Sequence, residues 1–285
     1  MNKYFCFKPE KFLEILLKSV CYDICKKTDE ELLSISFTEN GVFYDTDKNR
    51  DVKLTLDDIY RKGNFNIYDN KFDAVFERAM IIIENNIEQL EQYNIVLDDD
   101  ELYKYTFNLR TYLDAIYDSK VFFVNKNTFD DIFDCNVLRK HDEIMARTRI
   151  LCLTDDKDIK AMWGLYSGSF KGACIEYHLH NIISGVLDKK NVPIFCYDDV
   201  KYEQLQNPSI RYVFLNGFAK KGRKQLEELS KIVDQCYYKD ESWSFQKEKR
   251  MMILSSGKMN DFEAVDCHPS KVFKYNLKDK EIKEL

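Results

Sequence analysis

Five polar or charged residues, 246–250 (Gln-Lys-Glu-Lys-Arg), run directly into the apolar segment 251–254 (Met-Met-Ile-Leu). The apolar segment predicts a buried strand. Because side chains alternate along a strand, Gln246, Glu248 and Arg250 are expected to share one of its faces. A carboxylate and a guanidinium beside a core are costly unless they are solvated, paired or used in a site. The segment predicts either an Arg–Glu ion pair at an exposed sheet edge or a functional site, and on its own it favours the ion pair.

The composition predicts a folded chain with a large core. Of the 285 residues, 45% are hydrophobic and 14% are aromatic, and the chain has only 9 glycines and 4 prolines. Such a length accommodates one large domain or two ordinary ones. The formal net charge of -6 argues against a dedicated nucleic-acid binder, although it is compatible with a local basic patch.

Hydropathy and cysteine use predict a cytoplasmic protein without membrane association. No apolar run reaches the length of a membrane span, and residues 1–6 lack the form of a secretory leader. The nine cysteines are an odd number without a Cys-x-x-Cys motif, so we expect reduced thiols that act as small core residues. His178 and His180 lack a third ligand nearby in the sequence, and we predict no metal site.

The first hundred residues, 1–100, predict a mainly helical region that forms an accessory layer or binds a protein partner. Apolar residues recur at helical spacing from Phe12 to Ile24 and again over residues 72–93. Between these helices, residues 34–37 and 41–44 predict a small hairpin. The acidic run 98–101 marks a solvated junction to the rest of the chain.

Residues 101–285 predict an α+β domain. We expect short strands at residues 121–124, 150–153, 172–177, 193–197 and around Arg250. Helices are expected over residues 158–166, with Asp158 as the N-cap, and over residues 210–236. Strands and helices are interspersed without strict alternation, which favours a mixed sheet over a doubly wound parallel one.

Four segments of this second region occur in a recognisable order. They are residues 102–106 (Leu-Tyr-Lys-Tyr-Thr), 127–134 (Asn-Thr-Phe-Asp-Asp-Ile-Phe-Asp), 162–166 (Met-Trp-Gly-Leu-Tyr) and 246–250. In this order the chain resembles a large bacterial family of unknown function over residues 102–254. That family shows Tyr-His/Lys-Tyr, Phe-Asn-Asp-Pro-Phe-Asp, Met-Trp-x-x-Tyr and Glu-x-Glu-x-Arg motifs. The chain departs from them at Asp130, Ile132 and Gln246, which replace Asn, Pro and Glu.

The family in turn resembles the ADP-ribosyltransferase superfamily, whose last strand carries Gln/Glu-x-Glu. This resemblance implies a mixed, mostly antiparallel sheet, NAD as substrate and a macromolecular acceptor, as in a toxin or an anti-phage defence effector. Glu248 would stabilise the oxocarbenium-like cation that forms when the nicotinamide–ribose bond breaks, and Gln246 would orient the ribose or the acceptor.

The resemblance also implies a set of cofactor-binding residues. Lys104 or Arg250 would meet the pyrophosphate, and Trp163 or Tyr166 would stack on the nicotinamide ring. The complete predicted cofactor-binding set is Lys104, Tyr105, Thr106, Asp131, Trp163, Tyr166 and Arg250.

Each of these roles has an alternative. Trp163 and Tyr166 have the spacing of core residues on a helix, and Arg250 fits a structural partner of an acid. The whole domain would then be a non-catalytic module that senses a nucleotide or a protein or nucleic-acid partner. A third alternative is a metal-dependent nuclease that uses Asp130, Asp131 and Glu176.

Overall fold

The structure is a computed structural model that describes residues 4–38, 41–48, 52–65, 72–129, 131, 134–135, 137–138, 141–187, 194–204 and 223–285. Its helices are α1 (Phe12–Thr28), α2 (Leu56–Lys62), α3 (Phe72–Glu84), α4 (Leu109–Ile116), α5 (Asp142–Ala146), α6 (Lys160–Leu165), α7 (Leu179–Leu187) and α8 (Arg223–Gln235). Its strands are β1 (Phe5–Phe7), β2 (Leu32–Thr38), β3 (Gly41–Thr46), β4 (Val52–Leu54), β5 (Glu101–Thr106), β6 (Lys120–Val124), β7 (Thr148–Thr154), β8 (Ala173–His178), β9 (Ile194–Asp199), β10 (Lys201–Glu203), β11 (Tyr238–Asp240), β12 (Glu248–Leu254), β13 (Phe262–Asp266), β14 (Lys271–Asn276) and β15 (Glu281–Glu284). Short 3-10 helices span Pro9–Lys11, Ile87–Tyr93, Lys126–Thr128 and Glu241–Gln246.

Ten strands form one mixed sheet, which confirms the predicted α+β class. The strand order is β1-β9-β12-β7-β5-β8-β14-β15, and β6 and β13 branch from β7. Among the described pairings of this sheet, β1 with β9 is parallel, whereas the others are antiparallel. Strand β12 lies near the middle, hydrogen-bonded to both β7 and β9.

The sheet divides along one side of β7. At one end of β7, Thr154 pairs with Tyr103 of β5, and near the other end Ile150 pairs with Val124 of β6. Each contact is a single register pair, so β5 and β6 diverge from β7 instead of forming full ladders with it. The divergence leaves a gap between β5 and β6, and the central strand β7 forms its floor.

The helices before residue 100 pack on one face of the sheet. Helix α1 contacts α3, α8 and the 3-10 helix Ile87–Tyr93, and β1 joins the sheet beside β9. One continuous core joins Phe12 and Phe76 of this layer with Met252 and Leu254 of β12. The predicted helix at Phe12 is confirmed, and so is the hairpin, as β2 paired with β3. The boundary at residue 100 stays a prediction.

Three local expectations change in the structure. The long helix predicted over residues 72–93 ends at Glu84 and resumes as a 3-10 helix, where the side chain of Asn86 donates to the carbonyl of Ile82. Helix α6 begins at Lys160 with Ile159 as N-cap and without a side-chain cap, and Asp158 lies in the preceding turn, where its amide donates to the Asp156 carboxylate. Of the helix predicted over 210–236, only α8 lies within the described residues.

The cysteines are free thiols, as the sequence predicts, and the described helices fit the hydropathy of the chain. All nine cysteines are free, and all but the half-buried Cys152 are buried. Within the described ranges, none of the helices combines the length and apolar character that a membrane crossing requires.

Candidate functional site

A pocket of about 390 Å³ occupies the gap in the sheet between β5 and β6. Its walls come from β5, β6, β7, α6, β12 and the loop before α5. Among the residues predicted for the site, it is lined by Lys104, Tyr105, Asp131, Tyr166, Gln246 and Glu248. Its volume falls within the range of small-molecule sites. Segments that are far apart in the sequence therefore converge on one cavity.

Glu248 and Gln246 reach this pocket from different elements. Glu248 opens β12, opposite Thr154 of β7. Gln246 is not on the strand as predicted, because it ends the 3-10 helix Glu241–Gln246 and Lys247 turns the chain with a left-handed backbone (φ 45°). The two side chains nevertheless meet. Lys239 donates to the Oε1 of Gln246 at 2.7 Å and to the Oε2 of Glu248 at 3.1 Å.

Arg250 holds two buried carboxylates at the base of the pocket. Its Nη1 and Nη2 donate to Oδ1 and Oδ2 of Asp134, each at 3.0 Å, and its Nε donates to Oε1 of Glu248 at 2.8 Å. Lys239 completes the cluster, at 3.2 Å from Oδ2 of Asp134. The side chains are 0% exposed for Arg250 and 6% for Glu248. The pair is therefore buried on a central strand, which corrects the expectation of an exposed sheet edge.

The four charges balance one another, and their pKa values shift accordingly. Burial alone would raise the pKa of Glu248 and of Asp134, but the charges of Arg250 and Lys239 outweigh burial and lower both. Burial would lower the pKa of Lys239, but Glu248 and Asp134 raise it. All four groups are thus ionised at neutral pH, and Asp134, Lys239, Glu248 and Arg250 form what we call the buried charge cluster.

Lys104 is a cation that lines the pocket without a described ion-pair partner. It lies on β5, is half-buried, and its Nζ donates to the carbonyl of Cys152 at 3.3 Å. Within the part of the chain that the structure describes, no carboxylate lies at ion-pairing distance from this amine. Burial lowers the pKa of Lys104, and the charge of Glu248, which lies beyond ion-pairing distance, opposes this lowering only in part. An anionic ligand group would supply that partner.

Replacing Lys104 by methionine is expected to stabilise the fold while weakening ligand binding. The substitution keeps an unbranched side chain and removes a desolvated charge, so the free energy of unfolding should rise by about 1 kcal/mol. Urea unfolding of Lys104→Met and wild type measures the change. A control is Lys247→Met, whose exposed side chain pairs with Asp156 at 2.9 Å and should contribute little. Destabilisation by Lys104→Met would assign Lys104 a structural role instead.

The remaining predicted residues do not line the pocket. Trp163 is fully buried, donates its Nε1 to the carbonyl of Lys157, and packs edge-on against Tyr105 at 5.3 Å between ring centroids. Thr106 is buried, and its hydroxyl accepts from the amide of Asn108 before α4. Arg250 lies beneath the pocket in the charge cluster. A stacking role for Trp163 and a direct phosphate contact for Arg250 are therefore not supported.

Three lining residues of chemical interest were not among the predicted set: Lys239, Asp134 and Cys152. Asp134 closes the segment 127–134, so the motif order pointed to its neighbourhood. The thiol of Cys152 is protonated at neutral pH, because burial raises its pKa. Lys239 sits in no motif, and nothing in its local sequence distinguishes it from other lysines. Asp130, Ile132 and Phe133 of the same loop lie outside the described residues.

Residues 162–251 match a family described as "Protein of unknown function (DUF2971)". The match spans about a third of the chain and includes Tyr166, Gln246, Glu248 and Arg250, whereas Lys104 and Asp134 lie before it. No curated protein matches the chain, and no solved structure matches it. The family match agrees with the predicted resemblance to a family of unknown function and gives no activity.

Glu176, the third carboxylate of the nuclease alternative, does not line the pocket. It is buried on β8, where it accepts from the Ser270 hydroxyl at 2.8 Å. Its ligand atoms lie within 4.8 Å of those of Glu101 and His178. The structure therefore separates Glu176 from Asp131, which lines the pocket, and a site that combines the two carboxylates is not supported.

Proposed function

We propose that the pocket binds NAD and that the protein transfers ADP-ribose to a macromolecular acceptor. One observation carries the proposal: Lys104, Tyr166, Gln246 and Glu248, which the motif order assigns to NAD, line one cavity. In this assignment Glu248 faces the ribose, Tyr166 lies beside the nicotinamide, and Lys104 pairs with the pyrophosphate.

The geometry around Gln246 supports an orienting role for its amide. Its Nε2 donates to the Tyr166 hydroxyl at 2.6 Å, while its Oε1 accepts from Lys239. The amide orientation is thereby fixed from both ends, and Tyr166 is held beside Gln246 in the pocket that Glu248 also lines. A side chain whose orientation is fixed in this way can position the ribose relative to Glu248, whose negative charge opposes the developing cation.

A non-catalytic nucleotide-binding module is the second candidate, and the pairing of Glu248 favours it. Arg250 and Lys239 occupy both carboxylate oxygens, which reduces the charge that Glu248 can offer to a cation. For catalysis, a ribose hydroxyl must replace Lys239 at Oε2, where the contact is the longer one, and Lys239 would keep Gln246 and Asp134 as partners.

Nicotinamide release separates the two candidates. The purified protein is incubated with NAD, and free nicotinamide is quantified by chromatography, while calorimetry measures the binding of NAD and ADP-ribose. We expect binding together with slow release of nicotinamide in the absence of an acceptor. Binding without release would establish the sensing module, and a folded protein that neither binds nor cleaves NAD would refute both.

A further inference from the structure

A second cavity of about 380 Å³ adjoins the first one. The two cavities share Lys104, Thr111, Val124 and Phe262, so they meet beside the amine of Lys104. The second cavity adds two cations, Arg110 and Lys120, and one carboxylate, Asp114. Arg110 pairs with the buried Asp114 at 2.8 Å, and Lys120 pairs with Asp266. Cations outnumber carboxylates along this lining, although the whole chain carries a net negative charge.

Helix α4 borders the second cavity and turns its apolar side outward. Leu109, Leu113 and Tyr117 are spaced four residues apart and are exposed, with 68%, 37% and 77% of their surface accessible. Phe107, just before the helix, is also exposed, whereas Asp114 and Ala115 face inward. This inverts the usual arrangement of a surface helix, whose apolar stripe faces the core. We call Phe107, Leu109, Leu113 and Tyr117 the α4 stripe.

The described carboxylates of the charge cluster are poorly suited to activating an acceptor that must lose a proton. Glu248 and Asp134 are held as anions by Arg250 and Lys239 and have lowered pKa values, which makes them weak bases. Lys104 stays protonated when it pairs with a phosphate, because an adjacent anion favours the charged amine. An acceptor that is already an anion needs no base.

We propose that the acceptor is a protein carboxylate, carried by an acidic segment that packs its apolar side chains on the α4 stripe and inserts Asp or Glu into the second cavity. This inference rests on the proposed transfer of ADP-ribose. The helix that bears the stripe also lines both cavities through Thr111, so a segment bound there lies beside the reacting ribose. Arg110 is exposed and pairs with Asp114 through its Nε, so its two terminal nitrogens can meet a carboxylate of the acidic segment.

The chemical step is balanced without a proton transfer. The bond between ribose C1′ and the nicotinamide nitrogen breaks, and its electron pair leaves with nicotinamide, which becomes neutral. A carboxylate oxygen of the acceptor provides the electron pair for a new bond to C1′, and the product is an ester of ADP-ribose. Glu248 stabilises the cation that forms between these events.

The test uses random copolymers as probes for binding and for transfer. Fluorescent glutamate–tyrosine, serine–tyrosine and lysine–tyrosine copolymers are titrated with the full-length protein, and labelled NAD is then added. We expect the glutamate copolymer to bind best and to acquire label that neutral hydroxylamine releases, as an ester requires. Leu113→Asp should weaken its binding about tenfold while nicotinamide release in the absence of copolymer is unchanged.

Val96→Asp is the matched control, since Val96 is 78% exposed and lines neither cavity. Equal binding by wild type and Leu113→Asp would overturn the docking surface. Preferential labelling of the serine copolymer, the lysine copolymer or an added oligonucleotide would overturn the carboxylate acceptor. Transfer to the serine copolymer that is lost in Asp131→Asn would also overturn it, because Asp131 would then act as the base for a hydroxyl acceptor. Nicotinamide release without label on any copolymer would refute this inference alone, whereas absence of release refutes the proposed transfer together with it.

Discussion

Substituting methionine for Arg250 should destabilise the protein by about 3–5 kcal/mol, because it leaves Asp134 and Glu248 buried with Lys239 as their one remaining described cation. The guanidinium also donates to the carbonyl of Cys236, which would lose that bond. Urea unfolding monitored by tryptophan fluorescence measures the loss. A change below about 1 kcal/mol would mean that the cluster is more hydrated than its burial indicates.

Lys249→Met is the control for Arg250→Met, because it removes a positive charge from the same strand. Lys249 is the neighbour of Arg250, but it points to the other face and pairs with Asp199, which is 71% exposed. Lys249→Met should therefore cost between about 0 and 1 kcal/mol. A variant in which all four charges of the cluster are replaced by apolar residues of similar volume should regain most of the stability, since the large cost arises from the unpaired carboxylates.

Only part of the buried charge cluster could be predicted from the sequence. Alternation along β12 was enough to place Glu248 and Arg250 on one face, and the motif order predicted that Lys104 and Tyr166 belong to the same site. The choice of Asp134 and Lys239 as partners is different, because the chain has 43 basic and 49 acidic side chains and local sequence does not state which of them meet. Only the tertiary fold selects the pairs.

The shape of the pocket depends on a similarly long-range feature. The apolar pattern predicts β6 and β7 as strands, but not that β5 and β6 each contact β7 at a single register pair and then diverge. Turn chemistry was also missed at Lys247. Its left-handed backbone takes Gln246 off the strand, and periodicity alone does not anticipate a conformation that few non-glycine residues adopt.

At the α4 stripe, the sequence pattern predicts burial, whereas the structure shows exposed side chains. Leu109, Leu113 and Tyr117 have the spacing of a core face, and a sequence-based assignment buries them. In the structure, the polar Asp114 and the small Ala115 take the inner positions beside β5 and β6. Patterning predicts that a helix has two faces, but the surface beneath the helix decides which face turns inward. Here that surface is the lining of the second cavity, to which Asp114 contributes.

Glu248→Gln is expected to reduce nicotinamide release by roughly 10²–10³-fold, because the amide removes the negative charge that opposes the ribosyl cation while keeping the volume of the side chain. Glutamine keeps one acceptor oxygen, which can serve Arg250, and Lys239 retains Gln246 and Asp134 as partners. The fold should therefore persist with some loss of stability, which far-UV circular dichroism and urea unfolding measure. The affinity for NAD should change much less than the rate, since the charge acts mainly on the transition state.

Lys249→Met again supplies the comparison, because it removes a charge next to Glu248 from the face that does not line the pocket. Its rate should equal that of the wild type. If Glu248→Gln and the wild type release nicotinamide at the same rate, the catalytic assignment of Glu248 is wrong, and the carboxylate belongs to the charge cluster alone. If Glu248→Gln loses nicotinamide release and also unfolds in less urea than Lys249→Met, the double variant Glu248→Gln, Gln246→Glu distinguishes lost catalysis from lost stability. The added carboxylate lies beside Lys239 and should restore part of the rate of nicotinamide release only if the protein is a transferase that uses negative charge at this position.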